Sequence, residues 1–149
     1  MSGAPSSGAR TRARELLLQA LYQRQLAGHD CDELLAQFHA QAAYERVDRA
    51  FFDAALEAIC ASQPELERKI DELIDRPLVQ LDPVELAILL IGVHELGSCR
   101  DVPYRVVINE GVNLAKRFGA TDGHKYINAC LDVAAHELRR AEIQAQGSG

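Results

Sequence analysis

From Leu86 to Val93 the chain is apolar at every position, so a helix here has no polar face to offer water. A helix hydrophobic all round is either a membrane span or the centre of a bundle. Eight such residues fall far short of the ~20 that a span requires. The flanks carry helix signals: Asp82 as N-cap, Pro83 at the first helical position and Glu85 completing an Asp variant of the capping box. Gly97 supplies a candidate left-handed stop. The pattern predicts a central core helix that other helices must wrap.

Amphipathic spacing predicts those other helices. The first runs from Arg10 to about Ala27, with Ala13, Leu17, Ala20 and Leu21 on one face and Gly28 closing it. A short second helix follows Asp30, marked by Leu34, Leu35 and Phe38. The third covers Val47 to Ala61 with Phe51, Phe52, Ala55, Leu56 and Ile59 as its stripe. Pro64 permits a fourth, with Leu66, Ile70 and Leu73/Ile74, ending near Pro77. After the central helix, a sixth spans about Pro103 to Phe118, capped at or just after Asp101 and ended by Gly119. The seventh starts at Thr121 or Asp122 and reaches about Ala141, with Tyr126/Ile127, Cys130/Leu131, Ala134/Ala135 and Leu138 inward. No strand alternation or repeat interrupts this series, and the reading is an all-α, seven-helix bundle. Residues 1–9, rich in Gly, Ser and Ala, read as a disordered arm. Residues 10–142 read as one helical domain and 143–149 as a frayed tail.

Composition agrees with that class. Of 149 residues 48% are hydrophobic and 5% aromatic, with no Trp, a balance that favours helix over strand. The four cysteines, Cys31, Cys60, Cys99 and Cys130, form no CxxC pair; they read as free thiols in a reducing compartment. No apolar signal-peptide core opens the chain, which points to the cytoplasm. The net charge of −6 is unevenly spread. Residues 1–29 carry Arg10, Arg12, Arg14 and Arg24 against Glu15, whereas residues 30–99 are strongly acidic. Such asymmetry suits two surfaces with different partners.

Catalytic chemistry finds no support. The five histidines show no HExxH or other helical metal pair, and no G-x-S-x-G elbow surrounds any serine. His94 reads as a satisfied helix-end histidine, and Glu110 as a helix-pairing carboxylate. The expectation is a protein that is not an enzyme and holds no cofactor and no metal.

Three stretches carry a resemblance. Val102 to Gly119 (VPYRVVINEGVNLAKRFG), followed by Asp122 and by Lys125 to Asp132 (KYINACLD), closely resembles the NusB family of transcription antitermination factors. The central helix from Glu85 to Leu96 and the front end Arg10 to Tyr22 (RTRARELLLQALY) resemble the same family. Residues from about Gly28 to Arg76 match only in helical pattern. The resemblance implies two small helical bundles, here about 10–62 and 63–142. It implies binding of boxA-type RNA together with NusE, a ribosomal protein doubling as transcription factor. The implied complex acts with RNA polymerase, promoting processive transcription of ribosomal RNA operons. The chain departs from the family pattern at Leu90, where the central helix often carries Arg, and at Gly92, where Ala is usual. An outward Leu90 would strengthen a partner or self-association surface, including a possible homodimer.

Two clusters follow as candidate RNA contacts. Arg10, Arg12 and Arg14 lie at the end of the arm, where three cations at a helix N-terminus are misplaced by up to ~1 kcal/mol each; a phosphate backbone would relieve that cost. Around the last interhelical turn, Lys116, Arg117, Phe118, Asp122, His124, Lys125 and Tyr126 interleave bases and rings, which suits stacking of unpaired bases. The competing view makes Phe118 and Tyr126 core residues and Asp122 a simple N-cap. The resemblance places Phe118, Asp122 and Tyr126 at the RNA or partner edge, with Tyr22 and Glu85 near it. A shared grip of arginine tip and turn on one strand is the expectation. The rival readings are a protein-interaction module that binds no RNA, and an accessory domain for a separate RNA methyltransferase.

Overall fold

In α4 (Pro83–Ser98) ten consecutive residues, Ala87 to Leu96, are buried. Its start is fixed as the pattern predicts. Asp82 Oδ1 accepts the Glu85 amide at 2.8 Å, and Glu85 Oε1 accepts the Asp82 amide at 3.3 Å. Its end is not. Gly97 stays helical, with no left-handed backbone, and the helix runs on to Ser98. Leu90 is fully buried, so it offers no apolar surface for a partner or a second copy. Each such Leu or Ile taken from water stabilises the fold by ~1.5–3 kcal/mol.

The computed structural model describes residues 7–147. Expectations for residues 1–6 of the arm and for Ser148 and Gly149 lie outside the described residues. Within them are seven α-helices and no strand, an all-α fold. The chain divides into two compact units, one ending at Ser62 and the other starting at Gln63.

The first unit holds α1 (Ser7–Ala27), α2 (Cys31–His39), a 3-10 turn (Ala42–Arg46) and the opening turns of α3 (Arg49–Leu73). α1 begins at Ser7 rather than Arg10, and Ala9, assigned to the arm, is buried. Gly28 closes α1 with φ +72°, as the pattern predicts. Asp30 caps α2, and Glu33 completes a capping box. The core gathers Leu17, Leu21, Leu34, Leu56 and Ile59 with three rings: Phe38 and Phe52 lie 6.2 Å apart, and Tyr44 meets Phe52 edge-on at 5.8 Å.

α3 is two helices in one unbroken span, as the pattern predicts: they meet at a kink where Ser62 takes non-helical dihedrals (φ −122°, ψ 20°). Pro64 supplies the cause: it has no amide to donate, and its ring crowds the carbonyl four residues back. The Ser62 hydroxyl donates to the Ala58 carbonyl at 2.6 Å.

The second unit continues α3 and adds a 3-10 turn (Leu78–Gln80), α4, α5 (Tyr104–Phe118), α6 (Gly123–Leu138) and α7 (Arg140–Gly147). α4, α5 and α6 pack on one another around Leu131, which is fully buried. A Cβ on Gly92 would stand 2.5 Å from Leu131 Cδ2, and one on Gly111 would stand 2.6 Å from Leu131 Cδ1. The two glycines thus form a socket for one leucine. The missing Cβ of Gly111 is where Leu131 sits.

The end of the chain differs most from expectation. The seventh predicted helix breaks at Arg139 (φ −124°, ψ 33°), and α7 follows, so residues 143–147 are helical rather than frayed. Arg139 is 2% exposed. It donates to the carbonyls of Leu96 (2.8 Å), Cys99 (2.9 Å) and Glu95 (3.2 Å) at the end of α4. Asp101 does not cap α5. Pro103 stands at that position without a side-chain bond, and Glu142 Oε2 accepts the Tyr104 amide at 3.0 Å instead.

Candidate nucleic-acid interface

In the first unit, the three arginines sit on the first two turns of α1, each held differently, which corrects the picture of a loose arm. Arg10 pairs with the buried Asp48, its Nε and Nη2 each 3.2 Å from Oδ2. Asp48 is in turn fixed by α3, accepting the Phe51 amide at 3.1 Å. Arg14 is 3% exposed and lies over the Phe51 ring at 5.0 Å; Arg10 shares that ring at 4.7 Å. Arg14 is therefore part of the packing and has no surface to give a phosphate. Arg12 is the exposed member. Its Nε donates to the Arg46 carbonyl at 3.0 Å, and Gly8, one turn earlier, leaves it room, since a Cβ there would come within 2.9 Å of Nη1. Arg12 and Arg46 both line an open groove of about 370 Å³ with Glu15, Gln19 and Ala43. Tyr22, also on α1, keeps 39% of its surface exposed.

In the second unit, the turn from α5 to α6 gathers most of the second cluster. Asp122 precedes α6 with φ +65°, the one left-handed non-glycine among the described residues. Asp tolerates that region better than most residues, still at a cost. Its side chain makes no capping bond, which corrects the view of Asp122 as a simple N-cap. The carboxylate is exposed and reaches Lys125 Nζ at 3.5 Å. α6 thus starts without a side-chain cap and with Lys125 in its first turn, an electropositive end suited to an anion. Glu85 comes close to this end, its Oε2 being 4.0 Å from a Cβ built on Gly123. Its other oxygen serves the cap of α4.

The two rings are neither core nor free. Tyr126 and Phe118 are both half-buried. Arg117 lies over Phe118 at 5.1 Å, with Lys116 exposed beside it on the last turn of α5. The Arg76 guanidinium lies over the Tyr126 ring at 4.1 Å while its Nε pairs with Asp75 Oδ1 at 3.3 Å. The Tyr126 hydroxyl is buried and finds no hydrogen-bond partner among the described residues. Burial, and then the neighbouring Cys130 thiol, push its pKa up to about 12. The exposed face of this cluster is therefore a cation stacked on a ring.

Arg76 and Arg46 escape a reading of the sequence. Arg76 stands beside Asp75 and before Pro77 in an acidic stretch, and Arg46 lies in a 3-10 turn with no helical period to mark its face. Local pattern carries no signal for either.

A family model described as the NusB family matches residues 11–136. A transcription antitermination protein NusB from Pseudomonas entomophila (strain L48) is 48% identical over 145 residues, covering 97% of this chain and 87% of that protein. The protein so named from Ralstonia nicotianae (strain ATCC BAA-1114 / GMI1000) is 45% identical over 143 residues, covering 96% and 92%. Among solved structures, T. maritima NusB superposes with a TM-score of 0.79 at 24% identity, over 90% of this chain and 94% of that one. That likeness speaks to the helical fold, and the family model and the relatives speak to descent: this chain belongs to the NusB family.

Proposed function

We propose that this chain is a transcription antitermination factor of the cytoplasm that binds boxA-type RNA together with NusE and joins the antiterminating RNA polymerase complex at ribosomal RNA operons. Its work is binding, with no reaction catalysed. The single observation that carries the RNA reading is Arg76 stacked on Tyr126 beside the uncapped, lysine-bearing start of α6. A guanidinium plane backed by a ring offers a flat cation on which an unpaired base stacks, a sequence-tolerant contact of ~1–3 kcal/mol. Lys125, Lys116, Arg117 and the α6 amides offer phosphate contacts around it, and Phe118 a second ring. Asp122 and Glu85 supply acceptors for base or sugar donors at the same edge. In the first unit, Arg12 and Arg46 on their groove are the phosphate contacts, with Arg10 a weaker one already engaged by Asp48. Tyr22 is assigned to the partner edge.

The test is a titration of boxA RNA with the purified chain, alone and with NusE, repeated across a range of salt. Expected are binding that tightens with NusE and a log K that falls linearly with log salt, by about 0.7 for each phosphate neutralised. A chain that binds NusE but no RNA at any salt would be a protein adaptor, and the RNA reading would fall.

A further inference from the structure

Two of the four cysteines meet. Cys31 is the first residue of α2, directly after the Asp30 cap, and its Sγ lies 3.8 Å from the Leu56 carbonyl on α3. That carbonyl receives the amide four residues on, which is Cys60. Helical side chains tilt toward the N-terminus, so the Cys60 side chain lies back over the turn that holds Leu56. The two thiols are close enough for Cys60 to act on Cys31 electrostatically. Both residues are half-buried, whereas Cys130 is buried and Cys99 faces His94 Nε2 at 3.8 Å. The candidate interface uses neither Cys31 nor Cys60.

We propose that Cys31 and Cys60 are a redox pair, open as two thiols and closed to a disulfide by exchange with a small disulfide oxidant of the glutathione type. The chemistry balances in two steps. The Cys60 thiolate attacks one sulfur of the oxidant, whose S–S bond breaks and releases one glutathione thiolate, leaving a mixed disulfide on Cys60. Cys31 then gives up its proton and attacks the Cys60 sulfur, releasing the second glutathione. Two protein thiols are oxidised, one glutathione disulfide is reduced to two thiols, and two electrons move.

Burial first, then the Cys60 thiol, pushes Cys31 up to about 12. Attack requires thiolate, so closure quickens as the pH rises. The closed bond ties the capped start of α2 to α3. It restrains the intervening segment, including the 3-10 turn that carries Arg46. It would raise the melting temperature by roughly 5–10 °C.

The experiment exposes the reduced full chain to glutathione disulfide at pH 7 and pH 8.5, followed by acid quench, intact mass and peptide mapping. Expected is one intramolecular link between the peptides bearing Cys31 and Cys60, reversed by dithiothreitol. It forms faster at the higher pH, and the oxidised chain melts later. Cys31→Ser should leave a lasting glutathione adduct on Cys60. Lasting adducts on Cys31 or Cys60 in the unaltered chain would overturn the pairing. So would a link to Cys99, to Cys130 or between chains.

Discussion

Arg139 Nη1 donates to Glu142 Oε1 at 2.6 Å, and through this pair the end of one helix is held to the start of the next. The guanidinium takes three carbonyls at the end of α4. The other carboxylate oxygen takes the first amide of α5. A cation thus meets the negative end of one helix dipole and an anion the positive end of another. Arg100 repeats the device, donating to the Leu138 carbonyl of α6 at 2.8 Å. Removing one member of a buried, hydrogen-bonded ion pair costs ~3–5 kcal/mol, because its partners are left unsatisfied. Arg139→Met should therefore lower the urea unfolding free energy by about 3 kcal/mol or more. Glu142→Gln should cost about 1 kcal/mol, since that carboxylate is partly solvated. Equal, small losses in both variants would mean the contacts are incidental.

The acid limb of stability should have two steps. Burial holds His94 below its ordinary 6.5, with Glu95 opposing. As the pH falls past 6.5, the unfolded chain takes up a proton that the folded chain refuses. Stability then drops until the folded pKa is passed. Glu142 is raised by burial, but the Tyr104 amide and Arg139 outweigh that and hold it below its ordinary 4.5. Below 4.5 the unfolded chain again binds the proton first, and a second loss follows through the folded value. The urea midpoint measured from pH 7.5 to 3.5 should fall in both windows. His94→Gln should flatten the upper window and Glu142→Gln the lower; an unaltered chain that is flat between pH 7.5 and 5.5 would show that His94 is not held neutral by burial.

Leu131 couples three helices. Filling either glycine of its socket forces its methyls to move within a packed interior, a change worth ~1–3 kcal/mol when the neighbours cannot give. Ala in place of a mid-helix Gly returns ~1 kcal/mol of propensity. The decisive observable is therefore the coupling and not either single value. Gly92→Ala combined with Leu131→Ala should be less destabilised than the sum of the two, by ~0.5–3 kcal/mol. Additive losses in thermal or urea unfolding would show that the Leu131 side chain and Gly92 do not press on each other.

What could be read from the sequence was whatever neighbours in the chain decide. The unbroken apolar run marked α4 as core, and Asp82 with Glu85 gave its first turn. Gly28 gave the end of α1, which needs φ above zero. What could not be read was set by distant partners. Asp101 looks like a cap for α5, yet the bond to the Tyr104 amide comes from Glu142, 38 residues beyond Tyr104. Arg139 looks like one more surface charge at a helix end, yet three carbonyls draw it inside. The same applies to the candidate interface: Arg10, Arg12 and Arg14 are alike in spacing and charge, and only Asp48, Arg46 and Phe51 distinguish them.

That distinction predicts different fates for the three arginines. Arg12→Ala should leave unfolding unchanged, weaken boxA binding and reduce the salt slope by about 0.7, the share of one phosphate. Arg14→Ala should cost ~1–3 kcal/mol of stability, through lost packing of its stem and lost bonds of its buried head. Its RNA affinity, measured where the variant is folded, should match that of the unaltered chain. Arg10→Ala frees Asp48 and should do a little of both. Equal effects of all three on the salt slope would restore the loose-arm picture.

Tyr126 separates ring from hydroxyl. A buried hydroxyl without a partner costs ~1–3 kcal/mol of desolvation, and the hydroxyl of Tyr126 is in that position. Tyr126→Phe should therefore fold at least as stably as the unaltered chain, with a rise of up to ~1–2 kcal/mol in urea. The ring still backs Arg76, so boxA affinity should stay the same. Tyr126→Ala removes the support of the guanidinium, and Arg76→Ala removes the plane itself; each should weaken binding by about tenfold, equal to ~1.4 kcal/mol and within the range of one stacked base. The double variant should be no weaker than the stronger single one, because both changes break the same stack. If Tyr126→Phe lost affinity as Tyr126→Ala does, the hydroxyl and not the ring would face the RNA, and the stacked cation would cease to be the reason for binding.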